Sequence, residues 1–236
     1  VQWHAARVTV IGIDGYRGGW VAARAEASPA RPTVTWATSS VHDVASLLDP
    51  SCVIGIDMPI GLAAMGWRAC DVLAKSALGR AGSRAFMTPP RAVLELGLSA
   101  PNEAVQQLSR ETTGQGTSRQ AMGLAERILA LDAALSDRAG ARDTGDVIEV
   151  HPELAFAEMA GQVLAGKKTA AGVGQRVEAL GPWLPSVVEH LASAPADVPV
   201  DDALDALACA WSASRWRISA ARTLPEGASA APFIVI

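Results

Sequence analysis

The first apolar positions of this chain form short continuous runs, not a helical stripe. Residues 8–13 (VTVIGI) are apolar and mostly β-branched, the pattern of a strand covered on both faces, and the run ends on Asp14. Gly15, Gly18 and Gly19 allow a tight turn beside that carboxylate, and Trp20, Val21 and Ala22 read as a strand returning antiparallel to the first. An Ala/Ser/Pro loop at 25–32 leads to TVTWA at 33–37, which alternates like a third, antiparallel strand. Ser40, with Asp43 three residues later, makes a capping-box pattern ahead of Val44, Leu47 and Leu48 and predicts a short helix ending at Asp49-Pro50. Residues 52–57 (CVIGID) then repeat the opening signal, a buried strand that ends on an acid. A helical crossover between the two strands makes them parallel, so Asp14 and Asp57 emerge at the same sheet edge.

Beyond Gly61 the apolar period becomes helical. The spacing predicts helices at 67–78, 103–108 and 119–135, the last with Met122, Leu124, Ile128, Leu129, Leu131 and Leu135 apolar. Residues 83–91 (SRAFMTPPR) are irregular because of Pro89-Pro90. DVIEV at 146–150 is a third buried strand, stopped by His151-Pro152, with Glu149 and Glu153 bracketing its end. Lys167, Lys168 and Thr169 precede a helix running to Leu180. A short helix at 185–192, a long one at 200–218 and an apolar edge strand at 233–236 complete the chain. This is an α/β pattern, read as a single domain over 1–236 with a mostly helical insertion at 62–145.

Half of the 236 residues are apolar, enough for a sizeable core. No apolar run reaches the ~18–20 residues of a membrane span. VQWHAAR at the start lacks a signal peptide's apolar region, so the expectation is a cytoplasmic protein with no membrane partner. Cys52, Cys70 and Cys209 fit no zinc spacing and are expected to be reduced and buried. A net charge of -4 argues against non-specific coating of nucleic acid while leaving room for a local basic groove. The candidate groove is 68–91, where Arg68, Lys75, Arg80, Arg84 and Arg91 face one acid, Asp71; an ordinary solvated helix face has equal standing. Trp67 beside it is the one tryptophan read as a base-stacking candidate.

The chemistry concentrates in acids. The last helix, VDDALDALACAWSA, puts Asp202 and Asp205 at i and i+3, on one face. Two strand-end acids and two helical ones supply the oxygen ligands that hard divalent cations prefer, and the group repels itself unless cations neutralise it. Mg²⁺ or Mn²⁺ in such a cluster activates water for phosphodiester cleavage.

The element order resembles the ribonuclease H-like fold. GID at 12–14, GID at 55–57 and DALDALACA at 202–210 resemble the acidic positions of Holliday-junction resolvases of the RuvC type. The whole chain is similar to the predicted-nuclease family catalogued as domain of unknown function 429, through GIDGYRGGW, IGIDMPIGL, SRAFMTPPR, EVHPELAF, KKT and DDALDALACA. The resemblance implies a five-stranded mixed sheet, antiparallel in its first three strands and parallel later, flanked by helices. It also implies a metal-dependent nuclease in which Asp14, Asp57, Asp202 and Asp205 hold Mg²⁺ or Mn²⁺, Asp57 standing where resolvases carry a glutamate. Glu149 is a further catalytic candidate. Ser83, Arg84, Thr88, Arg91 and Lys168 are candidates for holding the phosphate of a nucleic acid or nucleotide, and a homodimer is left open. The turn at Met58-Pro59-Ile60-Gly61 and the long insertion depart from the resolvase pattern and suit either a small or single-stranded substrate or the docking of something that is never cut. An actin-like or sugar-kinase-type phosphotransferase is the alternative, weakened by the lack of a second glycine-rich strand-turn. A non-catalytic binding module is the third reading. His151 is a candidate for proton transfer, although a loop histidine is more often a hydrogen-bonded spacer.

Overall fold

β1 (Val8–Tyr16) is the strand from which the sheet grows in both directions. On one side it pairs antiparallel with β2 (Gly19–Ala27), which pairs antiparallel with β3 (Thr33–Ser39). On the other it pairs parallel with β4 (Val53–Ile56), and β4 pairs parallel with β5 (Val147–Glu149). The order β3-β2-β1-β4-β5 is a mixed five-stranded sheet of the ribonuclease H-like kind. The computed structural model describes residues 8–27, 32–137 and 147–236. His4 and the rest of the N-terminal stretch, residues 28–31 of the loop expected at 25–32, Asp146 and the end of the insertion lie outside the described residues.

Between β4 and β5 come α1 (Ala69–Ala77), α2 (Arg91–Gly97), α3 (Asn102–Thr113), α4 (Arg119–Gly123) and α5 (Ala125–Asp137). After β5 follow α6 (Pro152–Ala160), α7 (Ala170–Leu180), α8 (Val187–Ala192) and α9 (Val200–Arg217). The chain closes with β6 (Thr223–Leu224) and β7 (Ile234–Val235), an antiparallel pair whose Val235 also bridges to Val150 just past β5. Among the described residues, no helix is long and apolar enough to cross a membrane. All three cysteines are buried and unpaired.

Several local expectations change in three dimensions. The helix expected after Ser40 is a 3-10 segment, Val41–Leu47, kinked at Asp43, and the Ser40 side chain makes no capping hydrogen bond. The helix expected at 119–135 breaks at Leu124, so Ser118 caps a separate first piece through the Ala121 N–H. α2 begins directly after Pro90, because a proline disrupts the interior of a helix but suits its start. β2 extends into the expected loop because β1 and β3 both continue to pair with it.

Alternation along the strands divides the apolar residues between two cores. Ile11, Ile13, Ile54 and Ile56 face α5 and α2, meeting Ile128, Leu131 and Leu94. Val10, Val53 and Ile148 face α6, α7 and α9, meeting Phe156, Leu180, Leu204 and Leu207. Gly12 and Gly55 lie side by side on this second face. A Cβ on Gly12 would fall 1.9 Å from the Ala206 carbonyl oxygen, and one on Gly55 would fall 2.3 Å from the Cys209 carbonyl oxygen. α9 therefore rests backbone against backbone on the strands, which only glycine permits.

Candidate metal centre

The close seat of α9 determines where its acids go. Asp205 immediately precedes Ala206, the residue that touches Gly12, so its carboxylate is delivered over the strand ends. Asp14 lies near the end of β1, where its Oδ1 accepts from the Gly15 N–H at 2.7 Å. Asp57 is one residue past β4, and its N–H donates to the Ile13 carbonyl at 2.9 Å, continuing the parallel pairing and setting Asp57 beside the end of β1. Oxygens of Asp14, Asp57 and Asp205 lie within 4.8 Å of one another.

Burial and mutual repulsion both oppose ionisation here. Burial, then the charges of Asp57 and Asp205, hold the Asp14 carboxyl well above the usual range. Burial and the Asp205 charge push Asp57 up to about 8. Asp205 rises to about 6 through burial, against the pull of Lys167. Asp205 is 2% exposed, and its Oδ1 is buried without a hydrogen-bond partner. An all-oxygen donor set with excess negative charge and an orphaned carboxylate oxygen fits a hard divalent cation.

Lys167 was not among the residues the sequence marked for the site. Its Nζ is 2.5 Å from Asp205 Oδ2 and 3.9 Å from Asp201 Oδ2. Its loop is fixed to α7: Thr169 caps that helix by accepting from the Gly172 N–H at 3.0 Å. A Cβ on Gly172 would fall 2.1 Å from the Gly166 carbonyl oxygen. The signal in the sequence was the KKT segment itself, but nothing local joins it to an acid 38 residues later.

The profile of the family described as "Protein of unknown function (DUF429)" matches residues 12–230, which include all three clustered carboxylates. The chain belongs to this family. No curated protein and no solved structure matches it at a significant level.

In this DUF429 protein a cavity of about 480 Å³ opens over the acids. Asp202 lines it, half-buried, outside the close group of three carboxylates; burial and the neighbouring Asp201 raise its pKa. Lys168, Arg84 and Thr88 also line it. Arg84 donates to Glu153 Oε2 at 2.7 Å and to the Leu164 carbonyl at 2.9 Å. Thr88 donates its N–H to Asp71 Oδ2 at 2.8 Å, while its Oγ1 is buried with no partner. Ser83 is exposed and does not line the cavity. Arg91 is also away from it, on α2, pairing with Asp132 of α5 at 2.5 Å. His151 lines the cavity with Nδ1 unpartnered, and burial lowers its pKa, favouring the neutral ring.

Glu149 is held within a second ionic group. Its two oxygens accept from the Arg68 guanidinium at 2.7 Å each, and Oε2 also accepts from the Ile60 N–H at 2.7 Å. Arg68 also grips Asp71, so the oxygens of Cys70's neighbour and Glu149, which with the Cys70 sulfur form the other cluster of ligand atoms, already share a cation from the chain. The basic run at 68–91 thus directs Arg68, Arg84 and Arg91 into ion pairs with acids inside the fold. Replacing Arg68, 3% exposed, by methionine strands two buried carboxylates. Urea unfolding is expected to show a loss of about 3–5 kcal/mol.

Proposed function

We propose that this DUF429 protein is a divalent-metal-dependent nuclease, using Mg²⁺ or Mn²⁺ at Asp14, Asp57 and Asp205, with Asp202 at the rim of the site. The observation that carries this reading is the convergence of three carboxylates from β1, the end of β4 and α9, within 4.8 Å, on the wall of a cavity. Gathering unneutralised acids in a buried place destabilises the fold, and a cation removes the penalty. When bound, the metal supplies an activated water and neutralises charge on a phosphodiester.

The chain's own residues supply the remaining functions in this reading. Lys168, on the cavity wall, attracts the phosphate. Thr88 Oγ1, which has no protein partner, offers a hydroxyl to a phosphate oxygen. His151, favoured neutral by its burial, lines the same wall with its buried Nδ1 unpartnered. The substrate is a nucleic acid or a nucleotide phosphate.

The test is a panel of end-labelled single-stranded DNA, duplex DNA and RNA, incubated with the protein and Mn²⁺. Cleavage of at least one substrate is expected, falling to background in Asp14→Asn. A protein shown to bind Mn²⁺ that cleaves none of them, nor a mononucleotide ester, would refute the nuclease reading.

A further inference from the structure

The carboxylate cluster already contains one cation of its own. Lys167 reaches Asp205 Oδ2 at 2.5 Å and lies 3.9 Å from Asp201 Oδ2, with its side chain 34% exposed. Its backbone cannot easily withdraw, because the loop is tied to α7 through Thr169 and the close contact of Gly166 with Gly172. Lys167 also lines the cavity that holds Asp14 and Asp57.

We propose that this centre takes a single divalent cation, and that the Lys167 ammonium stands where a second metal ion would otherwise sit. This rests on the metal-dependent reading above. Within the close group, Asp14, Asp57 and Asp205 bring three negative charges when ionised and Lys167 returns one, so a single divalent ion neutralises that group, with Asp201 and Asp202 standing outside it. A second divalent ion would have to share the Asp205 carboxylate with the ammonium that already holds it, and two cations that close repel one another. Donor supply points the same way. Paired-metal sites clamp two ions roughly 3.5–4 Å apart with shared oxygen ligands. Here Asp205 Oδ2 is taken by Lys167, and Asp14 Oδ1 accepts from the Gly15 N–H. Asp205 Oδ1, buried and unpartnered, is the oxygen of that carboxylate still without a partner. The ammonium has three donors, and Asp205 takes one. The others are available to a phosphate oxygen on the cavity side, giving Lys167 the charge-stabilising part that a second metal plays elsewhere. No proton needs to leave it.

The experiment is a Mn²⁺ titration of the intact protein, read by calorimetry for stoichiometry and by electron paramagnetic resonance for coupling between ions. Wild type is expected to bind one Mn²⁺ per chain with the six-line signal of an isolated ion. Lys167→Met, which keeps an unbranched side chain one atom shorter and without the charge, is expected to admit a second Mn²⁺ and show a spin-coupled pair. Lys167→Arg, which restores the charge, is expected to return to one. Two coupled ions in wild type, or one ion in a folded Lys167→Met, would overturn the single-cation proposal while leaving the metal reading intact. Failure of wild type to bind any Mn²⁺ would instead overturn the metal reading and this proposal with it.

Discussion

Gly12→Ala is expected to lower the melting temperature by about 6–12 °C, corresponding to at least about 3 kcal/mol for a chain of this size. The added methyl would meet Ala206 O at 1.9 Å and Ala210 N at 2.2 Å, both main-chain atoms of α9. No side chain can rotate away to relieve that contact, so helix and strand must separate. Gly55→Ala acts on the same helix, meeting Cys209 O at 2.3 Å. Because Asp205 precedes Ala206, any folded fraction should also bind Mn²⁺ more weakly, linking a packing defect to the site. Gly174→Ala is the matched control. It lies inside α7 with nothing within 4 Å of an added Cβ, and should gain about 1 kcal/mol from helix propensity. Thermal denaturation of the three variants by circular dichroism decides the matter. A Gly12→Ala protein that melts with wild type would mean α9 does not rest on β1.

The acidic cluster should respond in the opposite direction. Asp57→Asn is expected to stabilise the metal-free protein at pH 8 by about 0.5–2 kcal/mol, the common range for removing a functional compromise. The same change should weaken Mn²⁺ binding by at least about 100-fold, the upper end of the cost of losing a partner of a ligand. The sign follows from the raised pKa values of Asp14, Asp57 and Asp205. Between the ordinary aspartate range and about 8, the folded state holds more protons than the unfolded chain. Stability linked to these groups is therefore fully present below about pH 4 and is lost as pH rises through the folded values. Metal binding works against those protons, so affinity should increase from pH 6 to 8, with protons released on binding. Denaturant unfolding of the metal-free protein across that range, with and without Asp57→Asn, measures the first effect. Calorimetry in buffers of different ionisation enthalpy measures the second. A wild-type stability curve that matches the Asp57→Asn curve at every pH would show that Asp57 carries no such strain.

The patterns legible in the sequence were those set by neighbours along the chain. VTVIGI and CVIGID announce β1 and β4 because a strand buried on both faces needs a continuous apolar run, and an aspartate at its end must emerge at the rim. The seat of α9, with Ala206, Cys209 and Ala210 against Gly12 and Gly55, came only from the tertiary structure. The strand pattern thus places Asp14 and Asp57 at one sheet edge, and the packing of α9 adds Asp205 to them. The pairing of charged side chains was decided by tertiary structure alone. Arg68 reaches Glu149 across 81 positions of sequence, and Lys167 reaches Asp205 across 38. Arg91 turns to Asp132 on α5 and leaves the cavity. A long flexible basic side chain has no period that reveals its partner, because any acid within reach after folding satisfies it. Apolar burial follows from local pattern, whereas ion-pair choice follows from which charges the finished fold leaves facing one another in a poorly solvated place.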